Sequence, residues 1–82
     1  MTKYIGIIYW NDGSGVLDNT TESSRLESVW KQCCLAHKLY AGEIVICKAV
    51  YNEQGQVVGD PVIRFDSVED CQHAFKTKYQ RG

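Results

Sequence analysis

The sequence predicts an α+β fold: a single β-α-β-β-α domain in which two helices pack on one face of a three-stranded mixed sheet. Three observations support this prediction. Three segments are dense in β-branched and aromatic residues, two segments space their apolar residues as amphipathic helices do, and turn-forming residues separate them. Eighty-two residues are enough for one domain, so we expect one folded unit over residues 1–82.

The first strand is predicted over Tyr4–Trp10, where the segment YIGIIYW is followed by the turn formers of residues 11–15. A helix should follow, beginning at Thr21 or Ser24 and ending near His37 or Lys38. Ser24 and Glu27 have the spacing of a capping box, in which each side chain binds the backbone N–H of the other.

The second strand is predicted over residues 43–51, with the sequence EIVICKAVY, and the third over residues 57–65. Because a proline cannot donate to a sheet ladder, Pro61 places the third strand at a sheet edge or at a bulge, and we favour the edge. The crossover from the first strand to the second is expected to be right-handed and parallel, and the third strand should return antiparallel.

The second helix is predicted from Val68 to about Tyr79, with Asp66 or Ser67 as its N-cap. Acidic residues occupy its first turn, and Lys76, Lys78 and Arg81 lie near its end. These charges complement the helix dipole at both ends.

The segment WKQCCLAH combines two cysteines with a histidine, which raises the possibility of a metal site or a nucleophile. A helical wheel points Cys33 inward beside His37, with Cys34 at the margin and Leu35 opposite. A second ligand pair would have to come from Cys71 and His73, but those side chains diverge around their helix. Too few ligands converge for a closed zinc site.

The cysteines are therefore predicted to be core residues, since a buried thiol behaves as a small hydrophobe. No catalytic residue, metal or cofactor is predicted, and we do not expect an enzyme. Without a signal peptide or an apolar run of membrane-spanning length, the thiols should be reduced and the protein cytoplasmic, with no membrane association.

The strands give the main functional indication, because they do not alternate between apolar and polar residues as a half-exposed sheet should. One set is assigned to the helix-covered face: Ile5, Ile7, Tyr9, Val45, Cys47, Ala49, Ile63 and Phe65. The opposite face would then carry an exposed interface made of Tyr4, Ile8, Trp10, Ile44, Ile46, Lys48, Val50, Val62 and Arg64. Alternatively, the termini or the loop of residues 11–20 fold back over this face.

An exposed apolar face of this size usually marks an interaction site. The favoured function is a non-enzymatic protein-interaction module, a small regulator or inhibitor that associates through the open face or a strand edge, as a homodimer or with another protein. One alternative is single-stranded nucleic-acid binding on aromatic residues beside Lys48 and Arg64, although a net charge of −1 makes nucleic acid an unlikely partner. Another is a small apolar ligand in a pocket with Tyr9, Trp30, Cys34 or His37 at its mouth.

Overall fold

The computed structural model of the chain describes residues 1–80 and has the predicted α+β class, with two helices and a four-stranded antiparallel sheet. Arg81, predicted to lie near the end of the second helix, is outside the described residues. The elements in chain order are β1 (Tyr4–Trp10), β2 (Val16–Asn19), α1 (Leu26–Cys34), β3 (Ala41–Lys48), β4 (Pro61–Phe65) and α2 (Val68–Tyr79). The strands lie in the order β2-β1-β3-β4.

The predicted sheet is three-stranded and mixed, whereas the observed sheet has four strands and is entirely antiparallel. Both differences follow from the unpredicted strand β2. Gly13 and Gly15 adopt positive φ angles of 76° and 142°, which turn the chain back on itself after β1. β2 then pairs antiparallel with β1, aligning Ile8 with Asp18. α1 returns the chain to the other side of β1, where β3 also pairs antiparallel instead of parallel.

Helix α1 is shorter than predicted at both ends. It begins after Arg25, whose side chain makes no capping hydrogen bond, so the predicted capping box of Ser24 and Glu27 does not form. It ends at Cys34, with Leu35 as the C-cap residue. His37 therefore lies beyond the helix on an exposed turn, and the prediction that it points inward beside Cys33 is wrong.

Helix α2 has the predicted bounds, and Ser67 caps it by accepting a hydrogen bond from the Asp70 N–H at 3.1 Å. The two helices meet around Trp30. Its ring lies 5.2 Å from the Phe65 ring and 6.1 Å from the Phe75 ring, and its indole N–H donates to the Cys71 carbonyl at 3.1 Å. This aromatic contact fixes both helices on the same face of the sheet, as predicted.

Residues 49–60, between β3 and β4, form a connector that folds back over the opposite face of the sheet. β4 therefore starts at Pro61 rather than at residue 57, and it lies at the sheet edge, as predicted. The connector is a small hairpin in which the Asn52 N–H donates to the Gln56 carbonyl at 2.9 Å and the Val58 N–H to the Val50 carbonyl at 2.8 Å. Gly59 closes it against the carbonyl oxygen of Lys48.

The helix caps give a first prediction. Ser67→Ala should lower the free energy of unfolding by about 1 kcal/mol, because the Asp70 N–H loses its acceptor. Ser24→Ala is the matched control and should change it by less than about 0.5 kcal/mol, since this exposed serine caps nothing. Urea denaturation measures both values, and an equal loss in the two variants would contradict the capping assignment.

The connector gives a second prediction. Gly59→Ala should lower the free energy of unfolding by about 1–3 kcal/mol, because the added Cβ would overlap the Lys48 carbonyl and force the connector away from the sheet. Glu53→Ala, at an exposed position of the same connector, serves as the control and should be nearly neutral. Identical urea midpoints for the two variants would rule out this close approach.

Candidate functional site

Most of the apolar residues predicted for the exposed sheet face lie instead under the helices. Ile44 and Ile46 are 0% exposed and Ile8 is buried, all three in the core that contains Trp30. Tyr4 is partly buried against the same core. The predicted face assignment of β1 and β3 is therefore wrong, and these four residues cannot form an exposed interface in the folded chain.

On β1 and β3, the residues predicted to face the helices lie instead on the opposite face of the sheet. Ile7, Val45 and Cys47 form a second buried cluster there, with Tyr9 packed at its side. Val57 of the connector packs against this cluster. Within residues 1–80, the second face is thus covered by the chain itself, through residues 49–60 rather than through the N-terminus or residues 11–20.

A side-chain hydrogen bond also anchors the connector to the segment that follows β2. The Tyr51 hydroxyl donates to the Glu22 carboxylate at 2.6 Å, reaching the segment that follows β2. This hydrogen bond to a carboxylate raises the pKa of Tyr51, because deprotonation would put two negative charges side by side. Hydrogen bonds therefore hold the covering hairpin at both of its ends: the Lys48 N–H donates to the Asp60 carbonyl at 3.0 Å, and Tyr51 donates to Glu22.

The two basic residues proposed for nucleic-acid binding do not share a face. Lys48 pairs with Tyr4 on the helix side, whereas Arg64 pairs with Val45 on the connector side. Arg64 is in addition engaged by Glu43 at 3.3 Å. Val62, on the same strand as Arg64, and Val50, in the connector, are exposed as predicted. The predicted platform of aromatic and basic residues is not assembled.

A different apolar surface is exposed, at the end of the molecule where α1 turns into β3. We call it the Leu39 patch, and its members are Trp10, Leu35, His37, Leu39 and Tyr40. Leu35 is 79% exposed, Leu39 70%, Tyr40 54% and Trp10 37%. Of the interface residues predicted from sequence, only Trp10 belongs to it.

Contacts between aromatic rings and hydrogen bonds from Asn11 stabilise the turn that carries the patch. The Tyr40 ring lies between those of Trp10, 6.4 Å away edge to face, and His37, 5.0 Å away. The Asn11 N–H donates to the Tyr40 carbonyl at 2.7 Å, and the Asn11 side-chain amide donates to the Leu39 carbonyl. The exposed side chains therefore project from a turn that is tied to the end of β1.

A cavity of about 380 Å³ opens beside these residues. Apolar side chains make up most of its wall, and the lining residues are Ile8, Trp10, Leu17, Asp18, Leu35, Ala36, His37 and Tyr40. Asp18 and His37 are its polar groups. A mostly apolar concave site with a few polar groups is the usual form of a binding pocket. Of the four residues predicted at a pocket mouth, His37 lines this cavity, whereas Tyr9 lies on the connector side and Trp30 in the core.

The cysteines occupy core positions, as predicted for Cys33, Cys47 and Cys71. Burial raises the pKa of Cys33 to about 12 and also raises that of Cys71, so their thiols are protonated at neutral pH. Within residues 1–80, no group of three or more His, Cys, Asp or Glu side chains is placed to hold a metal ion. In the same range, no helix is both long and apolar enough to span a bilayer.

Comparisons of the chain with protein-family models, with curated proteins and with solved structures find no match. The evidence for the Leu39 patch therefore comes from the structure alone. In the sequence, the only signal of this patch is the cluster of apolar residues in LAHKLYAG, which ends in the turn-forming Gly42. The predicted helix covers the first part of this segment, to His37 or Lys38, whereas the structure ends the helix at Cys34 and exposes Leu39 and Tyr40.

Proposed function

We propose that this chain is a non-enzymatic protein-interaction module that forms a homodimer through the Leu39 patch, acting in the cytoplasm as a small regulator or inhibitor. One observation supports the proposal: the large apolar side chains of Leu35, Leu39 and Tyr40 are each more than half exposed in the short segment that joins α1 to β3. Scattered apolar residues are normal on a protein surface, but a contiguous group of this kind marks a contact site.

The size of the patch fits the apolar centre of a small interface. Its exposed apolar area is on the order of 400 Å², within the range of the largest patches on monomers and about half of what one partner buries in a standard interface. Burying two such patches is worth roughly 20 kcal/mol before association costs of about 4–15 kcal/mol. The surrounding polar residues would supply the rim.

The features of the Leu39 patch favour a second copy of the chain as its binding partner. Leu39 is 70% exposed on the turn whose residues His37 and Tyr40 line an apolar cavity, and we propose that each copy places its Leu39 in the cavity of the other, as an isologous two-fold contact requires. Lys38, next to Leu39, would then approach Asp18 on the cavity wall of the second copy. With a net charge of −1, two copies repel each other only weakly.

The homodimer is tested by light scattering at two concentrations. The wild-type mass should rise toward twice 9.3 kDa, whereas Leu39→Glu should stay monomeric because the new carboxylate would have to be buried. Val62→Glu is the matched control, since it places the same charge at an exposed valine on the other face of the sheet. A wild-type monomer would overturn the homodimer, and a dimeric Leu39→Glu variant would overturn the role of the patch.

The cavity beside Leu39 favours a second candidate, a small apolar or aromatic ligand oriented by Asp18 and His37. Saturating indole should then raise the melting temperature of the wild type by several degrees through binding to the native state alone. Ala36→Phe, which fills the cavity, should abolish the rise, whereas Val62→Phe should keep it. An unchanged melting temperature in the wild type would eliminate this candidate.

A further inference from the structure

The two helices bring a pair of thiols into contact. The Cys34 Sγ lies 3.7 Å from the Cys71 Sγ, although 37 positions separate the two residues in the chain. A disulfide bond is about 2.05 Å long, so the sulfur atoms need to approach each other by less than about 2 Å.

The backbone around this pair is held by hydrogen bonds between the helices on both sides. The Gln72 side-chain amide donates to the Cys34 carbonyl at 2.8 Å, and the Trp30 indole N–H donates to the Cys71 carbonyl at 3.1 Å. Each cysteine carbonyl is thus fixed to the opposite helix. Closing the remaining gap between the sulfurs would require rotation of the two side chains and a small shift of the helices.

We propose that Cys34 and Cys71 are a modification site, at which hydrogen peroxide converts the two thiols into a disulfide that joins α1 to α2. This inference is independent of the proposed dimer. Cys34 is the accessible member, because it is only partly buried and lines a groove of about 300 Å³ between the helices. Lys31, Leu35 and Lys76 form the walls of this groove, and Cys71 lies buried behind Cys34.

The reaction proceeds in two balanced steps. The Cys34 sulfur attacks the peroxide, forming a sulfenic acid and releasing one water molecule, with the peroxide O–O bond broken. The Cys71 sulfur then attacks the Cys34 sulfur, forming the S–S bond and releasing a second water molecule. The two thiols lose two electrons, and the peroxide gains them. Because burial raises the pKa of both thiols, the reaction is slow and suits a mildly alkaline buffer.

The other two cysteines have different surroundings from the Cys34–Cys71 pair. The Cys33 sulfur points toward the sheet, over Gly6 of β1, and is fully buried. Cys47 lies on the connector side of the sheet, packed with Ile7 and Val45. The fold therefore selects one pair among its four thiols.

Peptide mapping tests the pairing. After treatment of the folded protein with hydrogen peroxide, the intact mass should fall by two hydrogen atoms. Trypsin should then release the peptide of residues 32–38 linked to that of residues 65–76. The oxidised protein should melt about 10 °C or more above the reduced form, since the bond closes a long loop of the unfolded chain.

Three variants identify the thiols. Cys34→Ala should abolish the linked peptide and the gain in melting temperature, whereas Cys33→Ala and Cys47→Ala should retain both. Four free thiols in the treated wild type, or a bond only between separate chains, would overturn the proposal. So would a linked peptide that survives in Cys34→Ala and disappears in Cys33→Ala, since both cysteines lie on the peptide of residues 32–38.

Discussion

The structure depends on one constraint: its sheet is apolar on both faces. The molecule is flat, with principal extents of 43, 33 and 16 Å, so the sheet has little protein on either side to shelter it. The helices bury Ile44 and Ile46 on one side, and the connector covers Ile7 and Val45 on the other. Both covers are needed, because each exposed face would cost the free energy of hydrating large aliphatic side chains.

Several elements could be predicted because their residues have a strong local preference. β1 has β-branched or aromatic residues at every position except Gly6, and α2 combines a serine cap, apolar residues at helical spacing and charges that match its dipole. β2 could not be predicted in this way. It has four residues, two of them Asp18 and Asn19, and its pairing with β1 depends on a glycine-containing turn rather than on its own propensity.

The assignment of sheet faces failed for a different physical reason. A shift of one residue moves every side chain of a strand to the other face, and an alternating pattern normally settles the choice. In β1 and β3 both alternating sets are apolar, so composition could not distinguish them. The pairing of Ile44 with Phe65 fixes the outcome, because Phe65 contacts Trp30 between the helices. That register is a property of the folded sheet and is not visible in any single strand.

The Leu39 patch was missed because a helix end is decided by tertiary structure. Apolar residues at Leu35, Leu39 and Tyr40 suit a continuing helix as well as an exposed turn. Here the chain leaves the helix after Cys34 so that Ala41 can pair with Trp10, and Asn11 fastens the turn. The exposed residues are thus the consequence of joining a helix to the centre of a sheet over a short distance.

The order of the strands also bears on how the chain folds as it is synthesised. β1 occupies the interior of the sheet and is made first, yet its neighbour β3 begins some thirty residues later, at Ala41. Until then the hairpin of β1 and β2 has neither helix nor connector to shield it, and a lone hairpin is marginally stable in water. Pairings between distant parts of a chain slow folding. The complete sheet can therefore form only once β3 and β4 are available to pair, and until then the apolar side chains of β1 lack the cover that they have in the folded domain.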